Sequence, residues 1–452
     1  MMNIFRKSES SGRRAGRFAI ALIAVAVPLL AVGGASAQAL PAAEASPIST
    51  GFSIPSVGGS LHWAVSASSS LDWGYYSQSG AATGVALSGN VGYLSQSTYR
   101  PFSLVATGGR SWGWSGQPSY EFASLGMSQG INVGRWSFTF SDNVSYLPQT
   151  AIGSLSGIAG LGDLGVPPVQ TGPDIGQGAL TNYSPQVSNT GGASMQRQIT
   201  GKTALNASGS YSILRFVGGS GSSGAIGLEN DSVTGSAGLN HRLNARNTFG
   251  GNYTYSSVIF LQNTSNGIPE PNFISQSGSL TYTHQVNRRL SFNLAAGPQW
   301  TTISLGKRST SLNAYADATL NYATEFARMG LGYVHGTNAG YGVVGGSLSD
   351  SVTFSASHSF SQVWNTAANL GWTHTTQLPS QNAITTFDLK TVIVGLQVSR
   401  ALARSLSAYA SYTFEDQTSG STGSTINLFS GKNNIIAFGV TYSPASRRVG
   451  RH

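Results

Sequence analysis

From Ser60 almost to its end, the chain alternates apolar and polar residues with a period of two. Trp136, Phe138 and Phe140 are interleaved with Ser137, Thr139 and Ser141. Val233, Gly235, Ala237 and Leu239 are interleaved with Thr234, Ser236, Gly238 and Asn240, and Leu406, Ala408, Ala410, Tyr412 and Phe414 follow the same rule. Period two sends successive side chains to opposite faces of a strand. One face is small and hydroxylic; the other is aliphatic and aromatic. Many runs exceed about ten residues, where a globular strand has about five or six, and such lengths suit a tilted strand crossing a bilayer.

Composition narrows this to a membrane barrel. Charged residues are only 9% of the chain, against about 25% in a soluble domain, while aromatics are 10% and glycines number 58. No apolar run after Gln38 is long enough for a membrane helix, which excludes a helical membrane protein. Low charge without long apolar runs is the mark of strands with one face in lipid and one in water. The absence of cysteine removes disulfides, thiolate metal sites and cysteine nucleophiles, and fits an exported protein. The net charge of +9 comes mostly from the ends. Arg6, Lys7, Arg13, Arg14 and Arg17 against Glu9 give +4, Arg447, Arg448 and Arg451 give +3, and +2 remains. A nucleic-acid-binding surface is therefore not supported.

Those five N-terminal bases form the n-region of a signal peptide. Phe18 to Val32 is its apolar core, and Ala35-Ser36-Ala37 is a small-residue cleavage site, so the signal peptide spans residues 1–37 and the mature chain starts at Gln38. Residues 38–59 lack periodicity and read as a flexible periplasmic lead.

A second pattern fixes the topology. A basic residue, any residue, a small residue and a large apolar one recur as Arg135-Trp-Ser-Phe138, Lys202-Thr-Ala-Leu205, Arg246-Asn-Thr-Phe249, Arg289-Leu-Ser-Phe292 and Arg328-Met-Gly-Leu331. From Lys202 the spacing is roughly 40 residues, and each basic residue follows a short turn. A propeller blade has a similar period but needs four short strands, whereas each repeat here holds two long ones. Each unit is thus a strand pair with a tight turn at one end and a longer Gly/Ser/Asn loop at the other. The expected fold is all-β: a transmembrane antiparallel up-and-down barrel of about 18 strands over residues 60–443, with 16 as the alternative. Both termini fall on the tight-turn, periplasmic side. The third outer loop, 148–188, is the longest, and 444–452 is a basic periplasmic tail.

The signal peptide, the turn repeat and the aromatic, low-charge strands together resemble the superfamily of porin-like bacterial outer-membrane β-barrels, over residues 60–443. The resemblance implies an outer-membrane location, contact with outer-membrane lipid, handling by the barrel-assembly machinery, and a pore. It names no substrate. Many such barrels end in an aromatic residue that resembles part of their assembly signal; here Tyr442 stands in for it, ahead of the basic tail.

Candidate functional residues fall into three groups. Leu155, Ile158, Leu161, Asp163 and Asp174 lie in loop 148–188, whose apolar residues would be poorly hidden in a free loop; folded inward, it would form a constriction. Arg135, Lys202, Arg246, Arg289 and Arg328 form a basic series at the periplasmic mouth. By parity Arg246 shares the inward face of Thr248, and a basic ring there would favour anions; contact with headgroups or solvent is the alternative. Trp136, Tyr253, Tyr255, Tyr333, Trp372, Tyr412 and Phe414 are expected in two aromatic girdles facing lipid. His241, His284 and His358 share one repeat position with Arg197. On separate hairpins they do not converge, so a lipid-facing rim is expected rather than a metal cluster. Asp317 is one of few charges expected in the lumen. Glu415 and Asp416, adjacent in a strand, point to opposite faces and cannot act as an acid–base pair. No nucleophile elbow stands out, and no catalytic, cofactor or metal site is expected.

The function expected is passive diffusion of small hydrophilic solutes, because a barrel of about 16–18 strands leaves an aqueous lumen. The alternatives are an export conduit for polysaccharide with periplasmic partners, and a surface barrel without transport. Mass analysis of the protein from outer membranes is expected to find Gln38 as its first residue; retention of residues 1–37 would overturn the cleavage assignment.

Overall fold

The computed structural model describes residues 59–74, 81–95, 97, 99–114, 119–148, 185–217, 229–261, 272–305, 307–338, 347–378, 386–422, 430–445 and 447–449. The signal peptide, the lead as far as residue 58 and loop residues 149–184 lie outside them.

The strands are β1 (Gly59–Gly74), β2 (Ala81–Ser95), β3 (Phe102–Trp114), β4 (Tyr120–Val133), β5 (Trp136–Pro148) and β6 (Pro185–Gln198). Next come β7 (Thr203–Phe216), β8 (Asn230–Arg242), β9 (Asn247–Phe260), β10 (Asn272–Gln285), β11 (Leu290–Leu305) and β12 (Lys307–Ala323). The last are β13 (Ala327–Asn338), β14 (Ser347–Ser359), β15 (Trp364–Gln377), β16 (Thr386–Ala403), β17 (Leu406–Thr422), β18 (Gly431–Tyr442) and the short β19 (Arg447–Val449). Each strand from β1 to β18 pairs antiparallel with its sequence neighbours, and β1 closes the ring against β18, Val65 opposite Tyr442 and Gly74 opposite Asn433. The result is a closed barrel of 18 strands. It has the architecture expected of porin-like outer-membrane barrels.

Two boundaries differ from the expectation. Residues 185–188 belong to β6 rather than to the long loop, because Pro148 to Tyr146 continue the ladder opposite Pro185 to Val187. The basic tail also carries a strand: Arg447–Val449 pairs with Gly59–Leu61 of β1, below the point where β18 ends. Pro444, lacking an N–H, interrupts what would otherwise be one continuous last strand.

The tight turns explain the basic repeat. In four of them, a side-chain oxygen two residues before the slot accepts the slot's backbone N–H. Asn244 Oδ1 receives Arg246 N at 2.9 Å, Asn287 Oδ1 receives Arg289 N at 2.8 Å, and Thr200 Oγ1 receives Lys202 N at 3.2 Å. In the β14–β15 turn Ser361 Oγ accepts Val363 N in the same way, at 3.3 Å. Asn, Ser and Thr close such turns through their own side chains, so the chain reverses without unpaired donors. In the β4–β5 turn, Gly134 takes φ +61°, a conformation glycine adopts without cost.

The wall is inverted relative to a soluble protein. Among the described residues, the buried side chains are mostly polar: Ser66, Asn90, Thr107, Thr234, Thr301, Thr391 and Thr441 all point inward. The outward positions beside them are large and apolar, with Leu312 66%, Leu280 63% and Phe438 58% exposed. Such a surface is stable only against an apolar medium. Leu280→Arg, mid-strand on the outer face of β10, is expected to cost about 2–4 kcal/mol of unfolding free energy in lipid bilayers. Ser277→Arg on the inner face should cost clearly less, and equal costs would mean the two faces are misassigned.

Candidate transport site

The inner face of the wall is lined by Ser, Thr, Asn and Gly, as the alternation predicts. Between the strand ends, its described charges are Asp72 on β1, Asp317 on β12 and Glu415 on β17. Among the described residues, Lys and Arg on that face occur only at the ends, as Arg242 and Arg328. Glu415 and Asp416 do point apart: Glu415 is buried inside, and Asp416 pairs outside with Lys432 at 3.5 Å.

The outer mouth is narrowed by an element that sequence reasoning did not single out. β13 pairs with β12 only as far as His335 opposite Ala316. Beyond that point it leaves the wall and leans inward over Tyr315 of β12 to reach β11 and β10. Thr337 N donates to Gln299 Oε1 at 2.8 Å, Thr337 Oγ1 lies 2.9 Å from Thr301 Oγ1, and Gln299 Nε2 donates to Ser275 Oγ at 2.9 Å. Gly336 permits the approach, since a Cβ there would sit 3.2 Å from both Gln299 Oε1 and the Tyr315 ring. An apolar cluster backs this network. Val258, Phe260, Phe273 and Ile303, from the outer ends of β9 to β11, pack with Leu378 after β15 and Leu348 of β14. Two strands, β12 and β13, separate those groups in the wall, so the contact runs across the inside of the mouth. The only sequence signal was an apolar residue at an inward position, as at Phe260 and Phe273, which breaks the hydroxylic face.

The outer surface carries a matching device. On each outer hairpin from β3–β4 to β17–β18, one polar pair faces outward across the two strands. They are Arg110–Glu121 (3.3 Å), Asn189–Asp142 (2.8 Å), Arg215–Asp231 (2.6 Å), Tyr253–Gln276 (3.0 Å), Thr302–Thr310 (3.0 Å), His335–Asp350 (2.7 Å), His374–Asp388 (2.8 Å) and Lys432–Asp416 (3.5 Å). Exposed pairs of this kind contribute little stability individually. Most stand about ten residues from the inner turns, which at about 3.3 Å per residue and a tilt near 40° is roughly 25 Å.

The expected aromatic residues Trp136, Tyr253, Tyr255, Tyr333, Trp372, Tyr412 and Phe414 all occupy outward positions. At the inner rim, Arg197 lies over the Trp136 ring at 4.8 Å and Arg400 over Trp364 at 5.2 Å. His241 and His284 hold Thr203 and Asn247 on adjacent strands, and His358 packs on Phe360. Among the described residues, no group of three His, Asp or Glu could hold a metal ion. Arg135, Lys202, Arg246, Arg289 and Arg328 sit at successive inner turns with exposed side chains, distributed around the mouth rather than converging. Leu155, Ile158, Leu161, Asp163 and Asp174 lie outside the described residues.

No protein-family model matches the chain, and no curated protein matches it. Similar solved structures include Pseudomonas aeruginosa OccK2 (OpdF), 12% identical over 85% of this chain and 98% of that one, with a TM-score of 0.43. The P. aeruginosa outer membrane protein OpdK is 11% identical over 86% and 99%, with a TM-score of 0.41. The FrpB iron transporter of Neisseria meningitidis is 9% identical over 85% and 81%, also at 0.41. Likeness at this level carries no argument about function.

Replacing Gln299 with Leu removes the acceptor of Thr337 N–H and the donor to Ser275. Leaving a buried donor unpaired costs about 1–3 kcal/mol. Hydrogen exchange at the Thr337 amide is expected to accelerate accordingly, with β9 and β10 unchanged; an unaltered Thr337 rate would show that this latch does not hold the β13 end.

Proposed function

We propose that this barrel is an outer-membrane channel through which small hydrophilic solutes pass by diffusion. The observation that carries the reading is the inverted wall: apolar side chains outward and hydroxyls and amides inward, on a closed barrel of 18 strands. A barrel of that size is wider than its side chains can fill, and small neutral polar groups line it without presenting a chemical step. The N-terminal signal peptide supports export, and the outward aromatic residues serve as girdles at the lipid boundaries.

In this reading the β13–β14 end restricts the outer mouth, and loop 148–188 with Leu155, Ile158, Leu161, Asp163 and Asp174 adds a constriction inside it. The basic series Arg135, Lys202, Arg246, Arg289 and Arg328 contacts solutes or headgroups at the periplasmic mouth. Purified protein in planar bilayers is expected to give stepwise single-channel currents, and deletion of residues 155–180 to raise the conductance about severalfold with the barrel still assembled. A silent, correctly folded barrel would refute the channel; unchanged conductance after the deletion would refute the constriction alone.

A further inference from the structure

We infer that the tight-turn rim of the barrel is a docking surface for anionic phospholipid headgroups. Each turn supplies one apolar side chain and most supply one basic side chain. The inference goes beyond the channel reading and does not depend on conduction.

Every tight turn, from β2–β3 to β16–β17, leaves a large apolar side chain exposed. Tyr99, Val133, Phe326 and Phe360 are 74%, 62%, 60% and 68% exposed, and Ile199, Leu243, Val286 and Leu402 complete the set. A single apolar residue on a surface needs no explanation, but one at every turn makes a rim. The ladder runs past the strand ends: the N–H groups of Ile199, Leu243 and Phe360 donate to the carbonyls of Thr203, Asn247 and Trp364. Alternation therefore continues into these turns. It puts Ile199, Leu243 and Phe360 on the lipid face, two residues beyond Arg197, His241 and His358. Two residues on a strand tilted near 40° span about 5 Å along the membrane normal. The headgroup layer on one side of a bilayer is about 5–7 Å deep. With the Arg and His row at the hydrocarbon boundary, the apolar tips lie among headgroups.

The independent observation is charge. On the outer row, bases stand beside acids, as in Arg110–Glu121, Arg215–Asp231 and Lys432–Asp416. The tight turns carry Arg100, Arg135, Lys202, Arg246, Arg289 and Arg404, all exposed, with Arg288 beside Arg289. Glu325 is the one acid among the described turn residues. Among the described residues none of these bases forms an ion pair, so the rim holds unbalanced positive charge. Arg135 gives one guanidinium N–H to the Ile199 carbonyl at 3.4 Å, which ties the base of one turn to the apolar residue of the next. Turn closure does not need the basic side chain. The slot's backbone N–H makes the closing bond, and the β14–β15 turn closes with Val363 there. Cations beside apolar tips match a ligand that carries phosphate above acyl chains. A soluble anion would meet the bases but leave the tips in water. A zwitterionic headgroup brings its own ammonium and gains less.

Electron spin resonance of the full-length barrel in phosphatidylcholine bilayers, with spin-labelled lipids as probes, tests this. At low salt, spin-labelled phosphatidylglycerol is expected to associate about threefold more strongly than spin-labelled phosphatidylcholine. That is about fivefold at the tight-turn rim, the factor one base near an anionic surface supplies, averaged with no preference at the outer row. Lys202→Gln, Arg246→Gln and Arg289→Gln together remove half of the basic turns and should remove about half of the excess. Arg110→Gln, Arg215→Gln and Lys432→Gln together should leave it unchanged. No preference in the native barrel, or equal losses in both triple variants, overturns the proposal. Displacement of phosphatidylglycerol by inorganic phosphate at constant ionic strength would assign the rim to soluble anions and also overturn it. The chain has no cysteine, so Leu243→Cys gives a unique nitroxide site, which serves if a triple variant fails to fold. The label is expected to be relaxed more by oxygen than by a water-soluble nickel chelate; the reverse would place the turn in water and sink the docking surface. Conductance enters none of these readouts, so a silent barrel would leave the rim standing.

Discussion

Every part of this structure depends on the need to satisfy backbone N–H and C=O groups in surroundings that offer no water. In hydrocarbon an unpaired peptide group costs several kcal/mol, so a sheet there cannot have open edges. The seam between β1 and β18 meets that need, with ten consecutive residue pairs from Val65–Tyr442 to Gly74–Asn433. Where β18 stops, β19 resumes the pairing after the break at Pro444. Once the ring is closed, the two faces of each strand see different media, and the alternation in the sequence becomes an inside and an outside.

That dependence explains what was legible beforehand. Strand identity, strand number, the side on which the turns lie and the outward placement of Phe138, Phe249 or Tyr253 all follow from period two and from turn chemistry, which are local. The turn repeat was visible as a basic series, although the geometry that recurs belongs to the residue two positions earlier, Asn244, Asn287 or Thr200, whose side chain closes the turn. The opposite orientation of Glu415 and Asp416 followed from parity alone.

The features of the lumen were less legible because they depend on which distant strands meet. Gln299, Thr301 and Thr337 are unremarkable in sequence, and only the departure of β13 from β12 after His335 brings them together. Asp72 and Asn433 lie at opposite ends of the barrel sequence and become neighbours only through closure. A pair of residues separated by nearly the whole chain leaves no periodic trace. The tail strand Arg447–Val449 was missed for the same reason: its partner is the first strand, and its own three residues carry no alternation long enough to register.

The row of outward polar pairs has a mechanical consequence. Each outer hairpin from β3–β4 onward places a charge or hydrogen-bonded pair just beyond the apolar band, and Arg197–Trp136 and Arg400–Trp364 anchor the other rim. In a bilayer, sinking the barrel toward its tight-turn end by one residue pair per strand would drag the upper row into hydrocarbon at many hairpins simultaneously. Lifting it would do the same to the lower rim. Individually weak groups thereby act in parallel as a draught line, fixing how deep the cylinder floats and limiting its freedom to rock. An inward-leaning hairpin such as β13–β14, pinned to Gln299 and Thr301, is thereby kept at one height in the mouth.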